Sequence, residues 1–238
     1  MKLRLATALA VGCIAIGLLA LGSAYWAARR VPAFYQQVLQ AEPAALKKNS
    51  DQLLENAAAL ASSVHNEQRW QALFTAEQIN GWLAVDVVKN FPELLPKGVA
   101  DPRIAIHPDR VALACRYLDG PVETVLSLEG EVYLQEPNVL SVRILRARAG
   151  ALPAPLGSLL QAISRAADDA GVRLRWLQAG GDPVAVIRLD PPGGEQRQLH
   201  QIETLELREG EIYLAGRTLR GAESGPLASA PDDAPKTR

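Results

Sequence analysis

A chain of 238 residues, 48% of them hydrophobic and with a formal net charge of −1, has enough apolar side chains for one good-sized core. Acidic and basic residues are interleaved along most segments, so the sequence has no basic stripe that could neutralise a phosphate backbone. We therefore do not expect nucleic acid to be a partner. Two cysteines, Cys13 and Cys115, and three scattered histidines fit neither a disulfide framework nor a zinc site. We therefore expect no metal and no cofactor.

The first 30 residues are predicted to form a membrane anchor. No charged residue interrupts residues 5–28. About 24 residues at about 1.5 Å each give a helix long enough to cross a hydrocarbon core of about 30 Å. Tyr25 and Trp26, followed by Arg29 and Arg30, suit the headgroup region.

Two alternatives to an uncleaved anchor remain open. A signal peptidase would use the small residues at 22–24, and a lipoprotein signal would end at Cys13. The flanking charges are nearly balanced and do not orient the segment. A short N-terminal tail before a long domain favours a cytoplasmic tail, so we predict a single-pass cell-membrane protein whose domain lies outside the cytoplasm.

Residues 31–68 are predicted to be a helical juxtamembrane region. Apolar residues recur at helical spacing over 34–39, and over 43–64 at steps of three, four or seven. A short strand at 69–74 then opens an α+β domain predicted to span 69–221.

The segment that begins at Phe74 carries the most distinctive local pattern. Thr75 is a natural N-cap whose hydroxyl accepts from the Gln78 amide, while the Gln78 side chain reaches back to form a capping box. Asn80 lies on the first turns of this helix, where its side chain is expected to bind a neighbouring backbone group. We predict structural roles for Thr75 and Asn80.

Periodicity changes from helical to alternating after residue 102. A hairpin is predicted over 104–117, and the strand after it has apolar residues on one face and Glu123, Ser127 and Glu129 on the other, as in a sheet with one wet face. Helices near 79–87 and 155–170 are the available cover for the dry face. If they leave an apolar groove, it is predicted to be lined by Leu126, Leu128, Val132, Leu134, Leu140, Val142 and Ile144.

The second half of the domain continues the same alternation of helix and strand. An amphipathic helix over 155–170 ends at Gly171, and four strands follow up to residue 217. Residues 222–238 are rich in Gly, Pro, Ser, Ala and Asp and are predicted to be a disordered tail. The predicted fold class is α+β, with an N-terminal transmembrane helix followed by amphipathic helices packed on an antiparallel sheet.

The motifs of the major enzyme mechanisms are absent from the sequence, and we predict that the protein is not an enzyme. His107 and Asp109 are interpreted as a hairpin turn, and the pair at 168–169 as solvated helix surface, because adjacent helical residues point about 100° apart. For the basic cluster a solvated strand end and an anionic headgroup site are both open; its members are Arg143, Arg146 and Arg148.

Residues 73–83 resemble the helix start of several membrane-anchored bacterial families, and residues 202–217 resemble their closing hairpin. The resemblance is to the YpmS-like family and, more distantly, to the tubular lipid-binding (TULIP) superfamily. It implies a strongly curved antiparallel sheet wrapped round a long helix, with an apolar groove that can hold an acyl chain. The extra helical region at 32–64 and a shorter middle segment depart from that pattern.

Two functions are therefore expected to compete. The first is a membrane-tethered extracytoplasmic domain that binds a membrane lipid or another hydrophobic ligand. The second is a non-enzymatic scaffold that holds an envelope protein partner. An apolar pocket of several hundred Å³ would favour the first, and a filled core would favour the second.

Overall fold

The computed structural model describes Leu19, Gly22, Ser23 and residues 25–119, 123–189 and 198–220. No helix within these residues is long and apolar enough to cross a membrane. Most of the predicted anchor, including Cys13, lies outside the described residues, as does the predicted tail at 222–238.

The described chain is α+β with antiparallel sheets, which confirms the predicted class. Its α-helices are α1 (Ala33–Leu39), α2 (Pro43–Asn66), α3 (Ala76–Trp82) and α4 (Leu156–Asp169). A π-helical turn (Leu83–Val87) and a last turn (Val88–Asn90) prolong α3, and a 3-10 turn (Pro92–Leu94) follows. The strands are β1 (Arg69–Thr75), β2 (Val99–His107), β3 (Arg110–Tyr117), β4 (Thr124–Glu136), β5 (Val139–Ala149), β6 (Leu152–Pro153), β7 (Leu174–Ala179), β8 (Asp182–Arg188), β9 (Gln198–Arg208) and β10 (Glu211–Arg220).

The strands form two antiparallel sheets. The smaller has the order β1-β10-β9, and the larger has the order β2-β3-β4-β5-β8-β7 with β6 paired to β5. β-Bulges interrupt the register in β2, β9 and the β4–β5 pair, and such insertions bend a strand and increase its twist.

Local capping chemistry sets the start of α3. The Gln78 amide donates to the Thr75 hydroxyl at 3.2 Å, and the Thr75 amide donates to the Gln78 side chain at 3.1 Å. The predicted capping box is therefore present. Behind it, α2 packs against α3 and β1, so the predicted juxtamembrane helix is part of the folded body.

The outer edge of β2 is closed by groups from elsewhere in the chain. The Asn80 amide donates to the Ile104 carbonyl at 2.9 Å, and its oxygen accepts from the Ile104 amide at 2.8 Å. The Gly210 amide, at the tip of the β9–β10 hairpin, donates to the Ile106 carbonyl at 3.0 Å. Edge groups that would otherwise be open to another strand are thus satisfied within the chain.

The turn between β4 and β5 joins the two sheets. Asn138 has φ +62°, a left-handed conformation that Asn tolerates better than most residues. Its side chain donates to the His200 carbonyl at 2.7 Å and accepts from the Ile202 amide at 2.7 Å. The Leu189 amide donates to the Asn138 carbonyl at 2.9 Å. One turn residue therefore connects β9 to the end of β8.

Candidate functional site: an apolar sheet face

Strand register brings the predicted groove residues together. Residues directly opposite each other on paired antiparallel strands share a face of the sheet. Leu128 lies opposite Leu113 on β3 and Ala147 on β5, and Val132 lies opposite Val142. All seven predicted residues fall on this one face, which we call the apolar face. Its further members include Ile104, Ile106, Val111, Leu113, Cys115, Leu174, Trp176, Ala185 and Ile187.

The apolar face is only partly covered. Ile144 is buried, with 4% of its surface exposed, but the other six predicted residues are half-buried. Leu113, near the middle of the face, is 39% exposed. An apolar surface that runs across several strands and stays half-exposed is a candidate binding site.

The expected helical cover is incomplete. Trp176, on β7, donates its indole N–H to the Ser164 hydroxyl of α4 at 2.8 Å. No residue of α4 is buried, although the helix has a strongly apolar side. On the other flank, α3 and its continuation pack against β2. The two helices therefore contact the two edge strands of the larger sheet, β2 and β7, and most residues of the apolar face remain half-buried.

The opposite face of the larger sheet is less exposed to solvent than the alternation of apolar and polar residues in the sequence predicted. Helix α1 covers its β3–β4 end, where Tyr35, 0% exposed, packs with Ala114 and Val125. Burial, with the Asp101 carboxylate as the next cause, raises the pKa of the Tyr35 hydroxyl to about 12. Farther along, Glu129 pairs with Arg146 at 3.3 Å. The β3–β4 end of this face therefore holds a buried apolar cluster.

Cys115 lies in the apolar face, and its thiol is partly shielded from water. It lies opposite Leu126 and is half-buried. Desolvation raises the pKa of its thiol to about 11, so the thiol stays neutral near pH 7 and behaves as a small apolar group.

A cavity of about 210 Å³ lies beside α4. It separates α4 from the loop after the 3-10 turn, and none of the seven predicted residues lines it. Its wall carries two acidic and two basic side chains, and its volume is smaller than a typical small-molecule site of about 300 Å³ or more. Its lining residues are Glu93, Leu94, Pro96, Lys97, Ala162, Arg165, Ala166 and Asp169.

The other residues considered from the sequence do not converge. His107 contacts Glu209 at 3.2 Å, whereas Asp109 pairs with Arg110 at 2.8 Å. Asp168 and Asp169 are exposed on α4. Within the described residues, no three His, Cys, Asp or Glu side chains are grouped so that they could hold a metal ion.

Sequence reasoning missed the attachment of the N-terminal segment to the sheet. The Thr124 hydroxyl donates to the Ala28 carbonyl, and the Ala151 amide donates to the Ala27 carbonyl at 2.8 Å. Leu126, a member of the apolar face, is two residues from Thr124. Gly150 was the only local signal, since a glycine between two strand-like segments often marks a close backbone approach.

Comparison of the chain with protein-family models, with curated proteins and with solved structures finds no match. The resemblance to the YpmS-like family and to the tubular lipid-binding superfamily therefore stays a prediction.

Proposed function

We propose that the protein binds an acyl chain of a membrane lipid, or a similarly apolar ligand, on the apolar face and is held at the membrane by its N-terminal segment. The observation that carries this proposal is the partial exposure of an apolar surface that continues from β2 to β7. An acyl chain laid on it would gain about 0.8 kcal/mol for each CH₂ group removed from water. No catalytic group is required for that.

The place where the N-terminal segment joins the sheet supports the same proposal. Ala28 is held by Thr124 at the start of β4, and the apolar face begins at Leu126. If residues 5–28 span a bilayer, one end of the face lies next to the membrane surface. A lipid chain would then move from the bilayer to the sheet over a short distance. In this proposal the domain lies outside the cytoplasm, as the short N-terminal tail favours.

Photo-crosslinking of the full chain in membranes tests the proposal. A photoreactive amino acid at Leu113, 39% exposed, is expected to give adducts with the mass of a lipid. The matched control is the same amino acid at Leu73 of β1, which is 41% exposed but belongs to the smaller sheet. Mass spectrometry of the labelled peptide identifies the adduct.

The same experiment separates the alternative function. A scaffold that holds an envelope protein on the apolar face would give protein adducts at Leu113 and no lipid adducts. Equal lipid labelling at Leu113 and Leu73 would show that the apolar face has no special role. A second variant, Leu128→Gln, is expected to reduce lipid labelling at Leu113, because Leu128 is its cross-strand neighbour.

A further inference from the structure

The residues that join the N-terminal segment to the sheet are fitted closely. Gly150 has φ +62°, and a Cβ atom there would lie 2.3 Å from the Ala28 carbonyl and 2.5 Å from the Ala27 carbonyl. Only glycine therefore fits between β5 and this segment. With the hydrogen bonds from Thr124 and Ala151, the contact fixes where the next residues, Arg29 and Arg30, leave the segment.

A third arginine lies beside this contact. Arg148 is exposed on β5, two residues before Gly150. Two neighbours in the basic cluster are neutralised, since Arg143 pairs with Asp182 at 2.6 Å and Arg146 with Glu129 at 3.3 Å. Within the described residues, no ion pair involves Arg148, Arg29 or Arg30.

Nearby charges add to the positive potential. Arg103, only 6% exposed, lies in the cross-strand row that leads through Ala114 to Arg148. Arg116 forms ion pairs with Asp101 at 2.5 Å and with Glu123 at 3.3 Å. The five arginines at this end are matched by Asp101 and Glu123, and a third carboxylate, Asp119, pairs with Lys97 at 3.9 Å, although the whole chain has a net charge of −1. A local excess of one sign attracts ions of the other.

Two aromatic rings accompany the arginines. Arg30 lies 4.3 Å from the centroid of the Trp26 ring, and Arg29 lies 5.5 Å from that of Tyr25. Trp26 is 63% exposed and Tyr25 is 51% exposed. Exposed aromatic rings stacked with arginines are typical of side chains in the headgroup region of a bilayer.

We propose that Arg29, Arg30 and Arg148 together bind the phosphate headgroup of an anionic phospholipid at the membrane surface. The proposal rests on the proposed membrane location and adds the chemical class of the lipid. Planar guanidinium groups bind phosphate oxygens through paired N–H donors. The Gly150 contact, two residues along the chain from Arg148, holds the backbone of Ala28, which precedes Arg29 and Arg30.

Lipid selectivity in a bilayer tests this site. The full chain is reconstituted in phosphatidylcholine bilayers with a trace of spin-labelled phosphatidylglycerol or spin-labelled phosphatidylcholine, and the fraction of lipid immobilised by the protein is measured. We expect a preference for phosphatidylglycerol that falls about fivefold for each arginine changed to Gln. Arg188→Gln, at an exposed arginine on β8, is the control and is expected to leave the preference unchanged.

A second pair of variants tests the geometry without changing the charge. Gly150→Ala is expected to lower the preference, because the new Cβ displaces Ala28 from the sheet. Gly171→Ala introduces the same kind of strain at φ +68°, but nothing lies within 4 Å of its Cβ, so it is expected to have no effect. The unchanged chain, Gly150→Ala and Gly171→Ala are measured in the same bilayer preparation.

Each contrary outcome has a definite meaning. An undiminished preference in the triple Gln variant, or an equal loss in Arg188→Gln, overturns the site. Loss of the preference on adding inorganic phosphate at matched ionic strength means that the site takes free phosphate and not the lipid. Lipid adducts at Leu113 without any headgroup preference would reject the headgroup site and leave the proposed acyl-chain binding standing.

Discussion

The corner where α2, α3 and β2 meet differs sharply from the apolar face of the larger sheet. In the corner, polar groups are buried and paired. Asn80 is 3% exposed and both its side-chain atoms bond to Ile104, and the buried Ser50 hydroxyl donates to the Asp86 carboxylate. The apolar face has no such network, and most of its side chains are half-buried.

The difference separates residues that hold the fold from residues that are available to a ligand. A buried polar group fixes one arrangement, because leaving it unpaired costs more than the bond itself contributes. A half-exposed leucine contributes less to stability and keeps surface free for an apolar partner. Substitutions in the corner should therefore lower the free energy of unfolding, whereas substitutions on the face should affect binding first.

Asn80→Ala should have the largest effect on stability. It leaves the amide and carbonyl of Ile104 without their partner at the edge of β2, and we expect a loss of about 3 kcal/mol in the free energy of unfolding. Urea denaturation of the full chain in detergent measures it. Asn90→Ala is the control, because Asn90 is exposed on the same helical run and its side chain, among the residues that the structure describes, bonds only to Asp86. A similar loss in both variants would contradict the role of the Asn80 clamp.

Gly81→Ala should come next. A Cβ at residue 81 would lie 2.5 Å from the Leu46 carbonyl and 2.6 Å from the Ser50 amide of α2, so backbone must move. We expect a loss of about 2 kcal/mol. Gly157→Ala in α4 is the matched control: nothing lies within 4 Å of its Cβ, and it should gain about 0.5–1 kcal/mol from helix propensity. If Gly81→Ala is also stabilising, α2 and α3 are not packed as described.

Thr75→Ala should have a smaller effect. It removes the oxygen that accepts from the Gln78 amide at the start of α3, and loss of an N-cap costs about 1 kcal/mol. Thr75→Ser keeps the hydroxyl and should restore most of the stability. Thermal unfolding of the two variants side by side measures the difference, and equal melting temperatures would show that the cap contributes nothing measurable.

Some features of these two regions can be predicted from the sequence, whereas others cannot. The Thr75 capping box and the common face of Leu126 and Leu128 follow from local spacing, because caps and strand alternation are set within a few residues. Asn80 was expected to bind a neighbouring backbone group, whereas its partner, Ile104, is 24 residues away. The Asn138 clamp on β9 was not predicted, since a turn residue does not indicate which distant strand it meets.

The local sequence pattern also does not predict how much of the sheet the helices cover. Alternation identifies the apolar side of a strand but not how much of it a helix shields. The sequence therefore left open whether 79–87 and 155–170 fill the sheet. The register and the exposure of Leu113 show that they do not. Likewise, nothing near Tyr35 indicates that α1 lies on the opposite face, because that contact joins residues far apart in the chain.

Leu113→Gln should have the smallest effect on stability and the largest on binding. Leu113 is 39% exposed, so the change removes only part of a buried side chain and should cost about 0.5 kcal/mol. The polar amide would lie in the middle of the apolar face, where an acyl chain has no hydrogen-bond partner to offer it. We therefore expect lipid labelling from a photoreactive residue at Leu134, farther along the same face, to fall severalfold in this variant. Leu73→Gln, at a residue that is 41% exposed in the smaller sheet, should leave that labelling intact. A large loss of stability in Leu113→Gln would place this residue with the structural corner and remove the contrast between the two regions.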